Sequence, residues 1–289
     1  MRPFLIFCGI KHKGRWRNLS EKVETVKNFY QNYNEDKRMV KNKLEYIRCK
    51  EIISRSLKEK NMTILDNGGA TGAFSFWLAE KGHKVSLIDF IPKHIEIAQE
   101  REKEKGVKLD TTIVGDAREL PFNDNCFDLV LLMGPLYHLT KKSDRLKSLK
   151  EAYRVLKPGG KIIAEAISRF ASMVDGFKSD LIKDPEYIPI MKKDIKTGLH
   201  KDTSTCQEYF TNAYFHRPEE VRLELVEAGF IFKDLIAVES FGCTIPEVDK
   251  KIQDKNYRNE LLNTIKLVEK EPSLMGISNH YMGIGKKKV

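Results

Sequence analysis

Ile64-Leu65-Asp66-Asn67-Gly68-Gly69-Ala70-Thr71-Gly72 is the stretch on which the fold turns. Apolar residues run into an acid, the acid into a cluster of glycines, and helical spacing follows. Glycines at a switch from strand to helix let the backbone pass close to a ligand. The loop implies a nucleotide-type ligand. A dinucleotide fingerprint asks for G-x-G-x-x-G, and Ala70 stands inside that spacing. The other reading is a plain strand-to-helix connection.

Working outward, short apolar runs recur at Thr63–Leu65, Val85–Ile88, Thr112–Val114, Leu129–Met133 and Ile162–Ala164, separated mostly by helical segments. Strands alternating with helices mean βαβ units and a parallel sheet, so the fold class is α/β. Upstream, 21–33 and 36–57 have helical spacing, the second with Val40, Leu44, Ile47, Ile52 and Ile53 in phase. Past Ile167 a polar stretch to about Asn212 reads as an insertion of short helices over one sheet edge. Pro218 opens a helix to about Ala228 with Gly229 as its stop, and Phe230–Val238 reads as a strand. A helix over 248–269 and a last strand over 276–285 complete the expectation.

Acids stand at matching strand ends. Asp66 closes the first strand, Asp89 the second, and Asp116 follows the third. In an open parallel sheet these ends line one crevice. A pyrophosphate there would meet three carboxylates. A cation bearing a ribose and an adenine would instead be welcomed, with one acid on the ribose hydroxyls and another on the adenine amine. The alternative is that each Asp merely caps a turn.

Further motifs join these acids: Leu44-Glu45-Tyr46-Ile47-Arg48, Met133-Gly134-Pro135-Leu136-Tyr137-His138-Leu139, Arg154-Val155-Leu156-Lys157-Pro158-Gly159-Gly160, Ile167-Ser168-Arg169-Phe170-Ala171-Ser172, Ala213-Tyr214-Phe215-His216-Arg217-Pro218 and Glu271-Pro272-Ser273-Leu274-Met275-Gly276. Over roughly residues 21–286 the chain resembles the class I S-adenosylmethionine-dependent methyltransferases, in a bacterial-type group whose substrates are mostly unassigned. The resemblance implies a Rossmann-like, seven-stranded, mostly parallel sheet with helices on both faces, an N-terminal helical cap and an insertion after the fifth strand. It divides the chain into a basic extension (1–20) and one domain (21–289): a helical lid (21–58), a cofactor-binding half (62–167), a cap insertion (168–213) and a C-terminal half (214–286).

It also implies site residues. Asp66, Asn67, Gly68, Gly69 and Gly72 would form the cofactor loop, Asp89 with Phe90 would hold the ribose, and Asp116 with Ala117 would face the adenine. Met133 and Gly134 would present backbone near the reacting methyl. Arg48 offers a fork for the cofactor carboxylate, or is a surface arginine on an amphipathic helix. Tyr30 and Tyr33 are either lid residues, Tyr33 reaching the cofactor, or core aromatics. Ala70 replaces a glycine common in relatives and adds only a methyl, so binding should survive.

Methyl transfer from a sulfonium is an in-line displacement that rests on positioning and desolvation. A base is needed only when the nucleophile is protonated. Tyr137, His138 and His216 are the catalytic candidates, with His138 alternatively a satisfied helix-cap histidine. Glu165 and Arg169 bracket the end of the fifth strand, to bind a polar substrate or to pair with each other or a neighbour. Gly134-Pro135-Leu136-Tyr137 lacks the side-chain oxygen that base-amine methylases place first in this loop, which argues against adenine N6 chemistry. His12, His83, His94, His138, His200, His216 and His280 form no HExxH, so no metal is expected.

Composition sets the bounds. The 289 residues are 41% apolar and 32% charged, enough for a real core, and no apolar run approaches the ~18 residues of a membrane span. The net charge of +10 concentrates at the ends: Arg2, Lys11, Lys13, Arg15 and Arg17 precede the first acid, and Lys286–Lys288 lie near the other end. The body keeps 43 basic against 41 acidic side chains. Trp16 in the basic tail would stack on a base or stay solvated. Cys8, Cys49, Cys126, Cys206 and Cys243 have no CxxC spacing, which fits a reducing cytoplasm. The expectation is a cytoplasmic enzyme, monomer or homodimer, that methylates a small molecule at O, N or C and releases S-adenosylhomocysteine. An RNA methyltransferase using the basic tail is the alternative, and a non-catalytic binding module the third reading.

Overall fold

A strand covered on both faces can be apolar at every position, and five such runs become the parallel part of one sheet. The computed structural model describes residues 29–30, 42–58, 60–205 and 209–289. Tyr33, Trp16, Cys8, Cys206, His12 and the basic stretch 1–20 lie outside them. β1 (Thr63–Asn67), β2 (Lys84–Asp89), β3 (Thr111–Val114), β4 (Phe127–Leu132) and β5 (Leu156–Ile167) pair in parallel, and β8 (Ile231–Ala237) and β9 (His280–Lys286) complete seven strands in the order β3-β2-β1-β4-β5-β9-β8. β9 is antiparallel to both β5 and β8. The chain works outward from β1 to β3 and then restarts at β4 on β1's other side. The strand order therefore switches between β1 and β4, where an open sheet forms its crevice.

Alternation along each strand divides the core. Ile64, Leu87, Leu129, Leu131 and Ile163 face α1 (Lys43–Ser54), α2 (Ala73–Glu80) and α3 (Pro92–Lys105). Leu65, Val130, Leu132, Ile162 and Ala164 face α5 (Lys142–Val155) and α8 (Pro218–Glu227). The short α4 (Pro135–His138) follows β4 directly. Beyond β5 come α6 (Ala171–Lys178), α7 (Tyr187–Thr197) and a two-residue ladder of β6 (Leu199–His200) with β7 (Ala213–Tyr214), so the insertion holds strands as well as the expected helices. No helix among the described residues is long and apolar enough to cross a membrane.

Two expected elements change. The helix read over 248–269 is broken into α9 (Val248–Lys251) and α10 (Lys255–Val268), because the Asp254 carboxylate accepts the Tyr257 N–H and starts a new helix. The last strand begins at His280 rather than Gly276, because Pro272 opens α11 (Pro272–Met275) and Gly276 ends it. α10 packs Leu261 and Ile265 against Leu44, so α1 is held between the sheet and α10.

Candidate active site

The glycine loop after β1 is pressed against the chain leaving β4. A Cβ on Gly68, at φ +80°, would lie 2.4 Å from Pro135 Cδ and 2.9 Å from the Met133 carbonyl oxygen. Backbone alone fits there. Ala70 does more than add a methyl, because it sits at φ +49°, a region that favours glycine. Its N–H donates to Asp89 Oδ2 at 2.9 Å, which holds the conformation.

A cavity of about 1470 Å³, its mouth included, opens over these strand ends. Asn67, Gly68, Gly69, Asp89, Phe90, Asp116, Ala117, Met133 and Gly134 all lie on its wall. Asp66 and Gly72 do not, which corrects their assignment to the cofactor. Asp66 is fully buried beneath the loop, where the Ser75 hydroxyl donates to it at 2.7 Å. Burial raises its carboxyl to about 6, with the nearby Asp89 charge adding to the shift. Gly72, at φ +86°, caps α2 and leaves no room for a Cβ beside the Phe76 ring at 2.9 Å. Both residues shape the loop from below.

Asp89 keeps 7% exposure and accepts the Ile91 N–H at 2.8 Å as well as that of Ala70. His94 stands 3.1 Å from its Oδ1 through Nδ1, while its buried Nε2 has no hydrogen-bond partner among the described residues and the ring lines the cavity. Sequence reasoning missed His94, although its place in the first turn of α3, five residues past Asp89, was a signal. Asp116 is gripped by Arg118, whose Nη2 donates at 2.6 Å and whose backbone N–H donates at 2.8 Å. Of the three expected acids, one lies below the floor and one carries its own cation.

Across the cavity, α4 brings Tyr137 and His138 to the wall. Tyr30 and His138 share a hydrogen bond of 2.9 Å between the phenol oxygen and Nε2, and Phe210 stacks on His138 with centroids 5.7 Å apart. His138 is thus tied to the N-terminal cap as well as facing the cavity. Two further carboxylates, Glu45 of α1 and Glu165 of β5, also reach the wall, and both are buried. Behind them Glu239 accepts from His280 Nδ1 at 2.5 Å. Burial alone would lower the His280 imidazole, but Glu239, Glu45 and Glu165 outweigh it and raise it to about 10. Glu45, Glu239 and His280 bring ligand atoms within 4.8 Å of one another, a grouping that motif spacing did not disclose.

Two candidates are elsewhere. Arg48 is fully buried between α1 and the C-terminal segments, donating to the Val238 carbonyl oxygen at 2.9 Å, to Glu51 at 2.6 Å and to Glu269 at 2.5 Å. Its donors are committed, so it does not meet a ligand in the cavity. His216 is fully buried on the α8 side of the sheet, 3.5 Å from Glu224 and edge-on to Tyr214. Burial lowers its pKa, and Arg145 holds the same Glu224 through two nitrogens at 2.7 and 3.0 Å. The His216 N–H donates to the Ile167 carbonyl oxygen, which fixes it below the cap rather than at an acceptor. Arg169 pairs with Glu220 at 2.9 Å, not with Glu165.

Comparison with known proteins agrees with this geometry. A family profile described as a methyltransferase domain matches residues 65–164. The chain is 33% identical to the chloroplastic 2-phytyl-1,4-beta-naphthoquinone methyltransferase of Arabidopsis thaliana, over 62% of its own length and 67% of that protein's. It is 30% identical to the ubiquinone/menaquinone biosynthesis C-methyltransferase UbiE of Neisseria meningitidis serogroup C, over 60% of its length and 68% of that protein's. It thus spans about two thirds of these relatives. Among solved structures, phosphoethanolamine N-methyltransferase 2 of Haemonchus contortus in complex with S-adenosyl-L-methionine superposes with a TM-score of 0.59 at 18% identity, over 91% of this chain and 60% of that one. A methyltransferase from Methanosarcina mazei gives 0.55 at 22% identity, over 82% and 97%. At these identities the solved structures speak for the fold alone.

Proposed function

Because the chain belongs to the class I S-adenosylmethionine-dependent methyltransferases, we propose that it methylates a small-molecule acceptor inside this cavity and releases S-adenosylhomocysteine. The observation that carries the reading is the closure of the acceptor side. Tyr30 of the N-terminal cap, Tyr137 and His138 of α4, and Asn212 of the insertion line one cavity with the loop, where the acceptor would sit beside the nucleoside. The RNA alternative rests on residues 1–20, outside the described residues. We read 21–289 as one methyltransferase domain with 168–213 as its cap.

The residues present fit the cofactor. Gly68 leaves a cradle that a Cβ would fill, and two buried polar atoms on the wall, Asn67 Nδ2 and His94 Nε2, have no partner among the described residues. When bound, the cofactor supplies a methyl group activated by its sulfonium. Asp89, oriented by the Ala70 and Ile91 N–H groups, keeps lone pairs for the ribose hydroxyls. Asp116 and Ala117 would meet the adenine edge. The Met133-Gly134 backbone and Asn67 would flank the reacting centre, and the aromatic wall would exclude water there. Tyr137 would orient the acceptor. The pair of Tyr30 and His138 would take up a proton where the acceptor carries one.

Calorimetry of S-adenosylmethionine binding tests this. Asp89→Ala leaves ribose hydroxyls unpaired at a cost of ~2 kcal/mol, so affinity should fall about 30-fold. Unchanged affinity would sink the assignment.

A further inference from the structure

We propose that the cap insertion holds a hydroxyl of the methyl acceptor against His200, at a point away from the atom that is methylated; this rests on the methyltransferase reading above. Three segments of the insertion build the site. Ser172 of α6 donates through Oγ to Asp194 Oδ2 of α7 at 2.5 Å, and His200 of β6 meets the same oxygen through Nδ1 at 2.7 Å. The Tyr187 hydroxyl donates to the Ser172 carbonyl oxygen at 2.7 Å, which ties α7 to α6. Asp194 is fully buried, His200 is 4% exposed and Ser172 6%. An aspartate that takes the Nδ1 proton fixes the ring's orientation and tautomer, so the neutral imidazole keeps its lone pair on Nε2.

That Nε2 is buried and has no partner among the described residues. Thr211, 3% exposed, has an unpartnered Oγ1 as well. Native interiors leave few polar atoms unpaired, because burial without a partner costs stability. Both residues adjoin the cap end of the cavity. Phe210 stacks on His138, which lines the cavity, and its ring centroid is 5.9 Å from that of His200. Thr211 follows Phe210 in the chain and precedes Asn212, which is on the cavity wall. Phe215, stacked on His200 with centroids 4.9 Å apart, packs in one cluster with Tyr137 of the wall. Phe210 therefore stands as a partition between the cavity and His200, and turning its ring aside joins the two.

The chemistry of His200 selects the group held there. A lone pair on Nε2 accepts from an O–H, and the Asp194 carboxylate behind the ring repels a ligand carboxylate or phenolate. An ether or ketone oxygen offers no proton. An ammonium offers several, but it would give up its water beside the Phe210 and Phe215 rings with a single nitrogen to receive them. A neutral hydroxyl is the group that one acceptor satisfies. Gly134, assigned to the reacting centre, is close to Tyr137, whose hydroxyl would be 3.7 Å from a Cβ placed there. His200 is reached only past His138 and Phe210, so the anchored hydroxyl and the methylated atom are different parts of the acceptor. His200 makes the contact, and Asp194 and Ser172 position it.

The test uses the full-length protein loaded with S-adenosylhomocysteine and calorimetry on phenols and alcohols, each matched with its methyl ether, amine and carboxylate, starting from 4-ethylphenol and 3-phenylpropan-1-ol. Nitrogen NMR of isotope-labelled histidine is the second readout. Hydroxyl compounds should bind about tenfold more tightly than their ethers and should shift the His200 Nε2 resonance. His200→Phe, checked by its melting temperature, should abolish that preference while cofactor affinity stays within about threefold. Asp194→Asn keeps the ring but lets the other tautomer form, and should abolish the preference too. Equal binding of hydroxyl compounds and ethers by the wild type, or no binding of either, overturns the proposal, and so does a preference for ethers, amines or carboxylates. A preference that survives His200→Phe overturns it as well, because the unpaired nitrogen then holds only water. A wild-type protein that does not bind S-adenosylhomocysteine defeats instead the methyltransferase reading beneath it.

Discussion

The two ends of the cavity are built differently. At the end assigned to adenosine, most of the bonds that orient the acids come from near neighbours in the chain, Ile91 and His94 for Asp89 and Arg118 for Asp116, with the Ala70 N–H as the one longer-range donor to Asp89. At the other end, Glu45 and Glu165 on the wall and Glu239 and His280 behind them come from four segments that meet only when the sheet is complete. Short loops cost little entropy to close, so a group tied to a neighbour is oriented as soon as its turn forms. The first end can thus serve one invariant ligand with local parts. The second gathers charge from distant segments of the chain.

The largest expected effect breaks the adenosine end outright. Gly68→Val places a β-branched residue at positive φ, against Pro135 and the Met133 carbonyl. Strain and overpacking together cost roughly 4 kcal/mol, to be read as a lowered melting temperature and loss of calorimetric cofactor binding. Wild-type affinity in this variant would show that the loop does not form one wall with β4.

Asp66→Asn sharpens the contrast from below the loop. The Asp66 carboxyl is raised to about 6, against ~3.9 in an unfolded chain. The native state therefore holds a proton that the unfolded state releases. Its contribution to stability is fully present below pH ~4 and is lost as pH rises through about 6. Denaturant unfolding should show the variant gaining on wild type by up to about 3 kcal/mol across that window. A difference that stays flat with pH would mean that this buried acid is not strained.

His94→Phe is the smallest and most selective change. It keeps the ring against Tyr30 but removes Nε2 from the wall together with the Nδ1 contact to Asp89. One hydrogen bond is worth about 1 kcal/mol, so affinity for S-adenosylhomocysteine should fall about fivefold. Affinity for analogues lacking a ribose hydroxyl should fall less. An equal loss on every analogue would place His94 outside the ribose site.

What could be read in advance follows the same division. The parallel strands were legible because burial on both faces leaves no polar position, and Asp89, Asp116 and the glycine loop because a turn at a strand end is a local event. Ala70 at positive φ was hidden, since one residue's identity does not reveal its dihedral angle. Arg48 and His216 were misplaced for a longer-range reason. An arginine on α1 looks ready for a ligand until Glu269, which follows α10, takes its guanidinium. His216 sits in a motif that reads as functional until Glu224 and Arg145 enclose it. Glu45 passed unremarked, and Glu165 stayed one of two readings, until β5 and α1 faced each other across Cys49. Sequence by itself determined the sheet and the glycine loop at its crevice, because those depend on periodicity and on contacts a few residues apart. Only the tertiary structure decided which charges are spent in the core and which line the cavity, because a charged side chain's role is set by the partner that desolvates with it, and that partner is distant in the chain.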